Sequence, residues 1–211
     1  MISLFIDTSS STTILALFEG NNQLAYIQEN NMCDVSSRIM VLLDDLLGQT
    51  KINLSNIDKI FVVNGPGSFT GLRIGVTIAK TLAWSLNIPV IPISSLEVLA
   101  STTFEGDYII PYIDARRGYV FSAIYDHSLD TVVKDQYIHI NSLLSYLMPS
   151  KKYLFVGLGE LGFEGVINPN VNLSQVISKH QNDQGVNPHT LVPNYLKRTE
   201  AEEKLDLHVE N

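Results

Sequence analysis

Three strand-like runs stand ahead of the first helix-like one, and that order excludes most α/β architectures. Ser3–Asp7 is a short apolar run that ends in the turn-forming Thr8-Ser9-Ser10-Ser11, and Thr12–Phe18 resumes as a β-rich run. After the strong turn signal Glu19-Gly20-Asn21-Asn22, residues Gln23–Gln28 alternate again, so the opening predicts an antiparallel meander. Ile39, Leu42, Leu43, Leu46 and Leu47 then recur at i, i+3, i+4, i+7 and i+8. This is the apolar stripe of a helix that Asp34 or Ser36 caps and Gly48 is expected to stop. Met40 and Val41 lie off the stripe and give this helix a second apolar face. Ile57–Val63 reads as a buried strand, Leu72–Leu86 as a helix, Val90–Ile93 as a strand, and Ser94 or Ser95 caps a helix through Thr102 with Glu97 in its first turn.

A doubly wound fold would open βαβ. The order β-β-β-α-β-α-β-α is instead that of a half-domain of the actin/hexokinase/ribonuclease-H-like superfamily. The second half opens the same way, with strands at Tyr108–Asp114, Tyr119–Tyr125 and Lys134–Ile140, a short helix at Ser142–Leu147 and a strand at Tyr153–Val156. The expectation is therefore an α/β chain of two lobes, each a mixed sheet flanked by helices, the second degenerate. The N-terminal lobe, the partner-binding one, covers 1–103 and the C-terminal lobe 104–211, divided near Phe104-Glu105-Gly106. Gly157–Pro193 is expected as loops, and the polar Tyr195–Leu205 as a closing helix that can pack back on the first lobe.

The 211 residues carry a formal net charge of −8, which repels a phosphate backbone, so any role with RNA calls for a basic partner. The one cysteine, Cys33, allows no disulfide within the chain and suits a reducing cytoplasm. It reads as a small residue near a helix start rather than a thiol nucleophile. The N-terminus has no basic region and is not expected to be a signal peptide. The longest apolar stretch, Leu72–Leu86, contains Arg73 and Lys80 and is too short to span a bilayer, so no membrane role is expected.

Asp7-Thr8-Ser9 occupies the turn where actin-fold kinases place an acid and small hydroxyls near phosphates and metal. It is either a remnant nucleotide-binding loop or a turn satisfied by its own hydroxyls; the absence of glycine before Gly20 favours the second. Gly65-Pro66-Gly67-Ser68-Phe69-Thr70-Gly71-Leu72-Arg73 places free amides at a helix start but lacks the Lys-Ser/Thr ending of a phosphate loop, and reads as a tight connection that also shapes a surface. In the helix behind it, Gly75, Ala79 and Ala83 recur every four residues, a stripe that admits close approach of another helix. With apolar side chains nearly all round, this helix is expected to be half core and half partner interface. Gly157-Leu158-Gly159-Glu160-Leu161-Gly162 matches a dinucleotide fingerprint, but no periodic helix follows it. The five histidines show no metal-ligand spacing, and no catalytic centre is visible.

Several blocks closely resemble the TsaB (YeaZ) family: Ile6-Asp7-Thr8-Ser9, Asn64 through Gly75, Ser94-Ser95-Leu96, Ile113-Asp114-Ala115-Arg116-Arg117-Gly118-Tyr119-Val120 and Pro193-Asn194-Tyr195-Leu196-Lys197-Arg198. The paralogous TsaD family carries a metal-binding histidine pair on the first helix, whereas Asp34–Leu47 holds no histidine. The resemblance implies a non-catalytic subunit that pairs with a TsaD-type catalytic subunit through the first two helices, with a TsaE-type ATPase joining. The complex transfers a threonylcarbamoyl group to adenosine beside the anticodon of tRNAs reading A-starting codons, and tRNA is met only through it. No cofactor is implied for the isolated chain, although a nucleotide at a complex interface and a homodimer of the free chain are both compatible. The interfacial residues expected are Met40 and Leu47 on the first helix and Arg73, Val76, Lys80 and Trp84 on the second; Asp7, Thr8 and Ser9 are the weaker candidates for a bound cofactor. The rival is an ATP-dependent kinase or acyl-transferring ATPase of the same fold, using Asp7 and the Gly65–Gly71 loop.

Overall fold

A computed structural model describes residues 1–30, 35–158 and 166–197. The first lobe contains β1 (Ile2–Asp7), β2 (Thr12–Glu19), β3 (Asn22–Asn30), α1 (Val35–Thr50), β4 (Lys59–Gly65), α2 (Phe69–Leu86), β5 (Val90–Ser94) and α3 (Ser95–Ala100). Its strands lie in the order β3-β2-β1-β4-β5, with β1, β2 and β3 antiparallel and β4 and β5 parallel to β1. The second lobe contains β6 (Tyr108–Asp114), β7 (Tyr119–Tyr125), β8 (Thr131–His139), α4 (Ile140–Leu144), β9 (Tyr153–Leu158), β10 (Val166–Ile167) and α5 (Leu173–His180). Its order, β10-β9-β6-β7-β8, is the first sheet's order read from the other end, with β6 in the place of β1. The two-lobed fold with mixed sheets flanked by helices is therefore present, and the second copy is reduced to short helices and a two-residue final strand. No helix among the described residues is long and apolar enough to cross a membrane.

The period of two in a strand decides which layer each side chain joins. Leu4 and Ile6 of β1 pack with Ile39, Leu42, Leu43 and Leu46 of α1 and with Val76, Ala79 and Ala83 of α2. Phe5, between them in sequence, joins Phe18, Phe61, Leu96, Ile109, Tyr125, Val176 and Ile177. One face of the first sheet is thus covered by α1 and α2, and the other by α3, α5 and the second lobe.

Several local expectations change: β8 and α4 begin earlier than expected, at Thr131 and Ile140, and the two-residue β10 lies in the segment expected as loops. Gly48 does not stop α1; the helix runs on to Thr50, and Lys51, at φ +58°, takes the left-handed position instead. Helix α2 starts at Phe69 rather than Leu72, because Ser68 caps it by accepting the Gly71 amide at 3.3 Å. Part of the segment expected as loops is α5, where Asn172 caps the Gln175 amide and Leu173, Val176 and Ile177 are buried at helical spacing.

After α5 the chain returns across the first lobe as an extended strap. The Lys59 ammonium, 6% exposed, donates to the Gln181 and Asp183 carbonyls at 2.8 and 2.7 Å, beside the C-terminal end of α5 where a cation is favourable. The Val186 amide bonds the Val90 carbonyl at 2.9 Å, Leu191 is buried in the α1/α2 core, and the Asn194 amide bonds the Asn64 carbonyl at 2.7 Å. Tyr195–Lys197 is not helical, and the remainder of the expected closing helix lies outside the described residues. The expected division between 103 and 104 falls in the connection from α3 to β6, whereas the strap carries C-terminal residues onto the first lobe.

The lobes meet at a charged junction. Glu97 of α3 is buried and accepts from His180 Nε2 at 2.8 Å and pairs with Lys179 Nζ at 3.2 Å; His180 Nδ1 faces Asp183 at 2.7 Å. Burial opposes the imidazolium, but the hydrogen bonds and charges of Glu97 and Asp183 outweigh it and hold the His180 pKa above the ordinary value. A second polar contact joins Ser94 and Tyr125 to Asp135 of β8, whose carboxyl burial pushes up.

Candidate functional site

The glycine-rich connection is built around the turn that follows β1. A Cβ on Gly67 would stand 2.3 Å from the Ser9 carbonyl oxygen, and one on Gly71 would stand 2.0 Å from that of Thr8. Only glycine permits this approach. The contact is sealed by hydrogen bonds from the Ser68 amide to the Ser9 carbonyl at 2.7 Å, from the Thr8 hydroxyl to the Gly71 carbonyl at 2.7 Å, and from the Ser95 hydroxyl to the Pro66 carbonyl. Gly75 packs on the same Thr8 side chain, and Ala79 and Ala83 are fully buried. The small-residue stripe of α2 therefore faces this lobe's own β1 turn and core, not a helix of another chain; small residues report a close approach without naming what approaches.

Of the weaker candidates Asp7, Thr8 and Ser9, Thr8 is spent on packing. Asp7 is 7% exposed and accepts the Ser9 amide at 2.8 Å; burial drives its carboxyl up, against the hydrogen bonds of Ser9. With Ser9 it lines a pocket of about 190 Å³ between the lobes. Of the dinucleotide-like motif, Gly159–Gly162 lies outside the described residues, as do Cys33 and Asp34.

The six expected interfacial residues divide by exposure. On α1, Met40 is 50% exposed, and Leu47 is half-buried and lines a groove of about 670 Å³ with Met40, Asp44 and Lys51. On α2, Trp84 is 64% exposed, with His189 of the strap edge-on at 6.4 Å. The exposed Arg73 holds its guanidinium 3.9 Å above the Phe69 ring and bonds the Tyr195 hydroxyl at 3.1 Å; Phe69 and Tyr195 stack at 4.9 Å. Lys80 is half-buried and donates to the Leu191 carbonyl at 3.0 Å, so its charge holds the strap. Val76 is a correction: at 3% exposure it packs in the core with Ala79 and Leu82 and is not part of the surface. Leu72, Val76, Ala79 and Ala83 follow i, i+4, i+7 and i+11, and this phase was readable. Sequence reasoning also missed Phe69, His189 and Tyr195 on this face, since strap residues join α2 only in the fold.

Comparison with known proteins bears on the family and the fold. Residues 34–160 match the family model described as TsaD, tRNA N6-adenosine threonylcarbamoyltransferase. The tRNA threonylcarbamoyladenosine biosynthesis protein TsaB of Bacillus subtilis is 37% identical, the match covering 97% of each chain, and its namesake from Escherichia coli is 31% identical over 64% of each. In three dimensions the chain is similar to YeaZ from Pseudomonas aeruginosa, with a TM-score of 0.77, 22% identity and coverage of 92% of this chain and 99% of that one. It also resembles the activator of the 2-hydroxyisocaproyl-CoA dehydratase from Clostridium difficile, with a TM-score of 0.51, 12% identity and coverage of 85% and 92%. The two structural likenesses bear on the fold alone.

Proposed function

Because the chain belongs to the TsaB family, we propose that it is a non-catalytic subunit for making threonylcarbamoyladenosine in tRNA, in the cytoplasm. It docks a TsaD-type catalytic partner with the outer face of α1 and α2, and a TsaE-type ATPase joins that pair. The observation that carries this reading is the exposure of Met40 and Trp84, at 50% and 64%, on two adjacent helices covering one face of the first sheet. Large apolar groups left in water at such sites mark a surface that another protein covers. The net charge of −8 supports contact with tRNA through the partner rather than directly. The same face would hold a homodimer of the free chain that competes with the partner.

The test is light scattering after size exclusion of this chain mixed with its cognate TsaD-type protein, as wild type and as Met40→Glu and Trp84→Glu. A wild-type heterodimer that both variants fail to form, with unchanged circular dichroism, is the expected result. Absence of a heterodimer with two folded wild-type proteins overturns the reading, and ATP turnover by the isolated chain becomes the next measurement. Val76→Glu is unsuitable, because a charge placed in the core unfolds the lobe whatever its face does.

A further inference from the structure

The pocket between the lobes has a composition that the docking reading leaves unused. Its volume is about 190 Å³, below the roughly 300–1,000 Å³ of sites for drug-sized ligands or cofactors. Asp7, a residue 7% exposed, supplies a carboxylate, and among the described residues no lysine, arginine or histidine lines the pocket. A phosphate or carboxylate ligand would meet this acid with no cation among the described lining residues to offset the repulsion. A carboxylate offers roughly four acceptor positions, and among the described residues those of Asp7 are met by Ser9, through its amide and hydroxyl. Tyr26, whose hydroxyl donates to Gln28 at 2.7 Å, and the Gln28 side chain add further polar lining. Ile14, Leu99, Ile113 and Val171 supply an apolar one.

The pocket is held in shape from both sides. Asp7 ends β1 directly before the Thr8–Ser9 turn that Gly67 and Gly71 clamp. Across from the first lobe, the Asn170 and Asn172 amides bond the Thr102 and Ser101 hydroxyls at 3.2 and 2.9 Å, fixing the segment that carries Pro169 and Val171.

We propose that this pocket binds a compact primary ammonium group on a short alkyl chain, its N–H donors on the Asp7 carboxylate and its methylenes against the apolar lining. A buried carboxylate with no partner cation among the described residues is costly to ionise, as the upward displacement of the Asp7 pKa reflects, and a bound ammonium relieves that cost. Residues of both lobes line the site, so occupation ties the lobes together. The proposal is independent of the docking face on α1 and α2.

The test is a titration of the whole chain with n-butylammonium chloride at constant ionic strength, followed by the amide shifts of Ser9 and Ser10 in NMR spectra. Tetramethylammonium, which donates no hydrogen bond, is the control, and a lysine side chain on a blocked peptide backbone is a second probe. Saturable shifts with butylammonium, absent with tetramethylammonium and weakened at least about tenfold by Asp7→Asn (about 1.4 kcal/mol), are expected. Binding of butylammonium alone indicates a free amine, and binding of both probes indicates access for a lysine side chain; either supports the site. No saturable shift, equal response to tetramethylammonium, or undiminished binding by Asp7→Asn overturns it. Should Asp7→Asn fail to fold, Val171→Phe, which fills the pocket and keeps the acid, must abolish the shifts.

Discussion

Replacing Lys59 by methionine isolates what the strap contributes. The methionine keeps most of the side-chain volume and removes the ammonium that donates to the Gln181 and Asp183 carbonyls at 2.8 and 2.7 Å. Lys59 itself is buried, but these carbonyls sit at a partly exposed edge, where water recovers part of each lost bond. A hydrogen bond involving a charged group contributes about 1.5–3 kcal/mol net. Taking about 1 kcal/mol for each carbonyl at this edge gives about 2 kcal/mol, a sizeable share of the roughly 5–15 kcal/mol that holds a domain folded. With a urea slope of about 2–3 kcal/mol/M, the midpoint should fall by about 0.7–1 M. The loss should also be local. Hydrogen exchange at the Val186 amide, bonded to Val90, should speed up far more than at the amides of β1. An unchanged midpoint together with undiminished protection at Val186 would refute the strap's role.

Stability should depend on pH through His180. Its folded pKa is raised, so its contribution is complete below the unfolded histidine value, about 6.5, and is lost as pH rises through the folded one; urea midpoints of wild type minus those of His180→Gln should therefore shrink from acid to mildly alkaline pH. Gly71→Val should destabilise by at least about 1–3 kcal/mol, since its Cβ meets the Thr8 carbonyl oxygen at 2.0 Å, whereas Gly48→Ala, inside α1 with nothing within 4 Å, should stabilise by about 0.5–1 kcal/mol; thermal unfolding checks both. Trp84→Ala should move the stability of the free chain by no more than about 0.5 kcal/mol while abolishing the heterodimer in light scattering, because the indole is largely in water.

The strands β1–β9 were legible because each is bounded by turn residues and filled by alternating or continuous apolar runs, signals carried within a few neighbours, whereas the two-residue β10 falls in the segment expected as loops. Helix α5 was passed over because its surroundings are polar, yet Asn172 followed by Leu173, Val176 and Ile177 holds both cap and stripe. The candidate site was legible in part. Met40 and Trp84 stand out as apolar residues off a buried stripe, but the α2 stripe of small residues could be assigned to the Thr8–Ser9 turn only once β1 and α2 were side by side. Partners distant in sequence leave no local trace. The junction of Glu97 with His180, the strap bonds of Lys59 and Lys80, and the stack of Tyr195 on Phe69 are all of that kind.

The strap also sets an order of events during synthesis. Domains made on the ribosome generally begin folding from the N-terminus, but the first lobe here is completed by residues that follow the second lobe in sequence. Until Gln181–Asn194 emerge, the Lys59 ammonium has none of its native carbonyl acceptors, the place of Leu191 in the α1/α2 core is open, and the edge of β5 at Val90 is unpaired. Nascent chains therefore leave the Leu191 place in the α1/α2 core and the strand edge at Val90 uncovered for the whole time the second lobe is being translated, and a chain cut short before the strap keeps both uncovered however well its two sheets form.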